Sequence, residues 1–87
     1  MHAVVVKVTI NDIGTGLKEL REVVVPQVSR APGFVTGYWT RDDNSGMSLI
    51  VFESEDAANS ATEHVRSSVP EGVTLEDIDV REVVAHA

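Results

Sequence analysis

The side chains able to do chemistry in this chain are few. Its 87 residues include three His, one Trp, one Tyr and no Cys. Without a thiol there is neither a disulfide nor a thiolate metal site. Tyr38, the single tyrosine, carries a hydroxyl that can pass a proton or orient a phenol. Satisfying a backbone group at a pocket edge is the commoner use of such a hydroxyl. His64, between Glu63 and Val65, is the one histidine away from the chain ends. An imidazole titrates near neutrality, so it can serve as a base or hold a ligand. A half-exposed helix histidine with no such role is the ordinary alternative. His2 and His86 lie at the termini, where order is lowest. Trp39, the only Trp, offers a large apolar body and one N–H donor, which suits an interface anchor or a stacking platform. Lys7 and Arg41 are strand cations. They either meet an acidic substrate or pair across strands with Asp77, Asp79 or Glu53, a contribution of about 0.2–1 kcal/mol each.

Two short motifs invite a ligand reading and do not sustain it. Gly14-Thr15-Gly16 sits at a strand-to-helix turn, where phosphate can bind. The third glycine of a dinucleotide fingerprint is missing, and position 19 is Glu. Asp42-Asp43-Asn44-Ser45-Gly46 has the flavour of a calcium loop, with Glu53 at the closing position. Met47 to Glu53 reads as a strand, however, so these residues make a hairpin turn. No Ser-His-Asp set and no paired carboxylates stand out. Neither a metal nor a cofactor is expected.

The elements that must position these side chains follow from hydrophobic periodicity. Residues 3–10 are rich in β-branched types and alternate as a strand, with Val4, Val6, Val8 and Ile10 on one apolar face. Asn11 to Gly14 make a turn. From Thr15 to Arg30 the apolar residues Leu17, Leu20, Val24, Val28 and Ala31 recur at spacings of three and four, which predicts a helix. Pro26 inside it predicts a kink or a short second helix. Phe34 to Arg41 and Met47 to Glu53 are two strands around the turn. Folding that turn about Asn44 sets even-numbered residues opposite even-numbered ones. One face then holds Phe34, Thr36, Tyr38, Ser48, Ile50 and Phe52; the other holds Val35, Gly37, Trp39, Met47, Leu49 and Val51. Ser54 caps a second helix that runs to Ser68, with a thin stripe of Ala57, Ala58, Ala61 and Val65. Val73 or Thr74 to Val84 is the last strand, with Ile78, Val80 and Val84 on one face.

The order β-α-β-β-α-β is the ferredoxin-like α+β plan, a four-stranded antiparallel sheet with both helices on one face. Two helices cover only one side. The apolar residues assigned to the other side, Trp39, Met47, Leu49 and Val51, call for a partner. A second copy of the same sheet is the simplest one, and oligomerisation is a common source of buried area for so small a domain. The formal net charge of −7 argues against nucleic acid and anionic membrane surfaces. There is no apolar run near ~20 residues and no basic-then-apolar leader pattern. A cytoplasmic protein is expected.

The kinked first helix leading into Pro32-Gly33-Phe34-Val35, the hairpin, and then Phe52-Glu53-Ser54-Glu55-Asp56-Ala57 resemble the dimeric α/β-barrel superfamily. Within it the pattern is similar to the antibiotic-biosynthesis-monooxygenase-like (ABM-like) group. The resemblance spans nearly the whole chain. It implies one domain over residues 1–87, a homodimer joined sheet to sheet, and a ligand between sheet and helices. Activities in the group include cofactor-free oxidation of polyphenols to quinones and oxidative haem breakdown. The quinone-forming members carry Asn and then Trp on the pocket face of the third strand, and a Tyr early in the next helix; Ser48, Phe52 and Ala58 stand there in this chain. The haem-degrading members carry an Asn on the first strand and a Trp on the second helix, near Lys7 and Ala61 here.

The expectation is a small monooxygenase-like homodimer acting without metal or flavin on an aromatic or polyketide-like molecule. Thr36, Ser48, Ile50 and Phe52 would line the substrate, Tyr38 or His64 would move the proton, and Trp39, Leu49 and Val51 would lie in the dimer interface. The alternative is a non-catalytic dimeric module that binds a small apolar ligand or supports assembly. An open site of roughly 300 Å³ or more beside Ser48 and Phe52 is expected for the first. A space filled by Phe34, Ile50, Phe52 and Ala61 is expected if the core is closed.

Overall fold

A computed structural model describes residues 1–87. Its elements follow one another as β1 (His2–Ile10), α1 (Ile13–Glu19), a π-helical turn (Leu20–Val24), α2 (Val25–Ser29), β2 (Phe34–Asp42), β3 (Ser45–Phe52), α3 (Glu55–Ser67) and β4 (Val73–Glu82). The strands form one antiparallel sheet in the order β2-β3-β1-β4. The helices lie on one face of it, as the ferredoxin-like plan requires. The valine-rich β1 is central. Its even residues Val4 and Val6 join Ile50, Phe52 and Ala58 in the core. Val4 and Phe52 have no exposed surface, and full burial of such a side chain stabilises by about 1.5–3 kcal/mol. Phe34 meets Phe52 edge to face, with ring centroids 6.2 Å apart.

Pro26 does not break the first helix. It has no N–H to give to the carbonyl one turn back. The chain winds wider over Leu20–Val24, so that the Val25 N–H reaches the Leu20 carbonyl. Pro26 then falls in the first turn of α2, where a missing N–H is harmless. The start of α1 is capped by Asp12, whose Oδ1 accepts from the Thr15 N–H at 3.1 Å. After α2 the chain reverses at Gly33, which has φ of 80°. A Cβ there would also lie 2.9 Å from that of Ala57, so glycine is required twice over. This close approach seats β2 beside the start of α3. Ser54 caps α3, its Oγ accepting from the Ala57 N–H at 3.1 Å. The small residues of α3 let it press on the sheet, and Thr62 is buried with its hydroxyl donating to the Ala58 carbonyl at 3.0 Å.

The hairpin corrects the expected pairing. The turn is not a five-residue loop centred on Asn44. It is a two-residue turn, Asp43-Asn44, with Asp42 opposite Ser45 and Asp43 at φ 54°, the positive φ that tight hairpins favour. Odd residues of β2 therefore oppose even residues of β3, as in Trp39 opposite Ser48 and Gly37 opposite Ile50. An irregularity between Phe34 and Thr36 restores Phe34 to the face it shares with Phe52. Thr36 and Tyr38 consequently lie on the open face of the sheet, and Trp39 lies under the helices.

The open face is amphipathic. Val35, Tyr38, Met47 and Leu49 stand exposed on the β2–β3 side, with Val51 buried beside them in register with Ala3 and Thr36. Lys7, Asp77, Asp79 and Arg81 occupy the β1–β4 side. Lys7 is in register with Asp77, but the ion pair that forms there is Arg81 Nε to Asp79 at 3.0 Å. No helix is long and apolar enough to cross a membrane.

Candidate functional site

The helices do not close fully over the sheet. α3 packs on β1, β3 and β4, and α2 rests on β2. α1 and the π-helical turn span the space between them. Beneath them lies a partly enclosed cavity of about 170 Å³. Val6, Val8, Ile50 and Leu75 form its floor; Leu17, Leu20, Val24 and Val28 hang from the first helical arm; Ala61 and Val65 make the wall on α3. The π-helical turn thus contributes directly, through Leu20 and Val24.

Trp39 lies in the β2 part of the lining. Its ring folds back over Gly37, where a Cβ would come within 2.8 Å of the indole. Glycine at position 37 is what lets the indole lie flat on the strand. Gln27, Thr40, Arg41, Ser48, His64 and Ser68 are the polar residues around this space, and the Thr40 hydroxyl is spent on the Met47 carbonyl at 2.6 Å. The Trp39 indole N–H, the Ser48 hydroxyl and the His64 ring form no hydrogen bond within the protein. Trp39 and Ser48 are half-buried and His64 is exposed, so these three are available to a bound molecule. Arg41 Nη1 donates to the Asp43 carbonyl at 3.0 Å. Arg81 pairs with Asp79, and His2 Nε2 lies 3.6 Å from Glu55, which leaves Arg41 without a carboxylate partner.

Of the side chains expected from the sequence to form the site, Ser48, Ile50 and His64 come together around the cavity. His64 is exposed at its edge. Phe52 lies outside the cavity, wholly buried against Phe34. Thr36 and Tyr38 are on the opposite face, and Tyr38 is 65% exposed there. Trp39, expected in the dimer interface, is in the cavity instead, whereas Leu49 and Val51 do lie on the open face. Parity counted from the wrong turn centre accounts for the exchange of Thr36, Tyr38 and Trp39; Phe52 is on the expected face but belongs to the closed core. Reading Asp43-Asn44 as a two-residue turn is the signal that would have placed Trp39 and Arg41 correctly.

The volume limits what fits. An apolar cavity of about 150 Å³ accepts benzene, whereas drug-sized sites run to about 300–1,000 Å³. This space suits one aromatic ring with small substituents, less than the expected 300 Å³. No protein-family model matches the chain, and no curated protein is significantly similar to it.

Proposed function

We propose that this protein binds a single-ring phenol in the cavity beneath its helices and oxidises it without metal or flavin, as a cytoplasmic, ABM-like homodimer joined through its open sheet faces. The observation that carries the reading is an apolar, ring-sized cavity lined by a tryptophan and a serine hydroxyl, with an imidazole exposed at its edge, none of them with a protein partner. His64 takes the phenolic proton, and the ring is left as an electron-rich phenolate. Ser48 and the Trp39 N–H donate to the oxygen of the bound molecule. The apolar walls exclude water and so strengthen these contacts. A phenol and O₂ give a quinone and water: one oxygen atom bonds to a ring carbon, and the other leaves as water with two hydrogens of the substrate. The test is oxygen uptake with a panel of single-ring phenols, with the quinone identified by mass. Uptake that His64→Gln abolishes supports the proposal; binding without uptake across the panel refutes it.

One observation favours a second reading, a non-catalytic binding module. With Tyr38 on the far face, His64 is the only imidazole, phenol or carboxyl side chain around the cavity, and it is exposed at the edge. Saturable binding of phenols with no oxygen consumption selects this reading.

A further inference from the structure

We infer that the molecule held in the cavity is a small aromatic acid, its ring against Trp39 and its carboxylate taken up by the donors of the lining. The inference rests on the cavity being a ligand site and goes further, to the charge of the ligand. The chain carries 14 Asp and Glu against 7 Lys and Arg, so a random selection of its charged side chains would be mostly acidic. None of the side chains around the cavity is acidic. Those able to bond are the Trp39 indole, the Arg41 guanidinium, the Ser48 hydroxyl and the His64 ring, together with Gln27 and Ser68. Indole and guanidinium can only donate.

A cationic ligand and a purely apolar one both match this inventory poorly. An amine would enter an apolar space with no carboxylate to neutralise it, and an unpaired buried charge is costly. A hydrocarbon would leave the donors it covers without acceptors, which is also unfavourable. A carboxylate supplies two acceptor oxygens. Arg41 is suited to receive it: its neighbours Asp42 and Asp43 do not pair with it, and its contact with the Asp43 carbonyl uses one of five N–H groups. Guanidinium and carboxylate meet through two parallel hydrogen bonds, which orients the ring as well as binding it. The net negative charge of the molecule opposes an anion at long range, but ionic screening within about 8 Å at physiological salt leaves the local donors in control.

The test is calorimetric titration of the full-length protein with benzoate, benzyl alcohol and benzylamine at one pH, with Trp39 emission followed in parallel. Benzoate is expected to bind at least tenfold tighter than benzyl alcohol, and benzylamine more weakly than both. Arg41→Gln is expected to weaken benzoate at least tenfold while leaving benzyl alcohol unchanged, with the circular dichroism of the variant confirming its fold. Benzyl alcohol or benzylamine binding as tightly as benzoate, or a benzoate preference that survives in Arg41→Gln, overturns the acid inference and leaves the ligand site standing. If none of the three binds, the ligand-site reading fails, and the inference falls with it.

Discussion

At the scale of single residues, the site depends on which way β2 turns its side chains. Tyr38 faces away from the cavity, so Tyr38→Phe is expected to leave ligand affinity and turnover within about twofold of the parent. A tenfold loss would place the phenol in the site after all. Gly37→Ala tests the opposite side of the strand. Its new methyl would meet the Trp39 ring at 2.8 Å, closer than real Cβ contacts allow, so the indole must swing into the cavity. The expected result is a shifted Trp39 emission maximum and loss of ring-sized ligands, with a stability cost of about 1–3 kcal/mol for the overpacking. Unchanged emission and affinity would mean that the indole does not lie over the strand. The positions of His64, Ser48 and Ile50 around the cavity were legible because a helix face and a well-paired strand carry them. Trp39 and Tyr38 were exchanged because a shift of half a residue in the centre of one turn reverses the side chains of one strand relative to its partner, here β2 before the turn relative to β3.

At the scale of elements, the caps and the proline shape the roof of the cavity. Ser54 is the side-chain cap of α3. Ser54→Ala is therefore expected to cost about 1 kcal/mol, read as a lower urea midpoint at unchanged slope. No loss would mean that the start of α3 is held by other contacts. Such caps are visible in sequence because they need a specific residue type at a specific place. The π-helical turn is not visible in this way: Pro26 signals that the helix must adapt, but a kink, a break and a wider turn answer that demand equally well. The widened turn sets Leu20 and Val24 over the cavity. Pro26→Ala removes the demand for it and is expected to restore a regular helix with greater thermal stability, while ring-sized ligands bind differently beneath it. Retention of the wider turn in the variant would show that packing of Leu20 and Val24, not the proline, maintains it.

At the scale of the whole molecule, one face of the sheet is roofed by helices and the other is open. The order β-α-β-β-α-β was legible, since the change of period from two to three-to-four marks each element, and the turns at Pro32-Gly33 and Pro70-Glu71-Gly72 and the Ser54 cap separate them. The cavity was not, because it depends on how the first helical arm and α3 sit over the sheet together, which no periodicity encodes. The open face carries Val35, Tyr38, Met47 and Leu49 in one apolar area, beside a charged half. Leu49→Lys puts a charge in its middle and is expected to convert the proposed dimer to a monomer in sedimentation experiments, without loss of helical signal. A parent protein that sediments as a monomer would contradict the dimer.

The most direct test of the central claim uses the single tryptophan. A ¹⁵N-labelled sample gives one indole N–H resonance, and it belongs to the cavity. On titration with phenol, that resonance is expected to move saturably together with the amides of Leu17, Leu20 and Val65. Movement confined to Tyr38, Met47 and Leu49 on the open face, or no movement at all, would contradict the account.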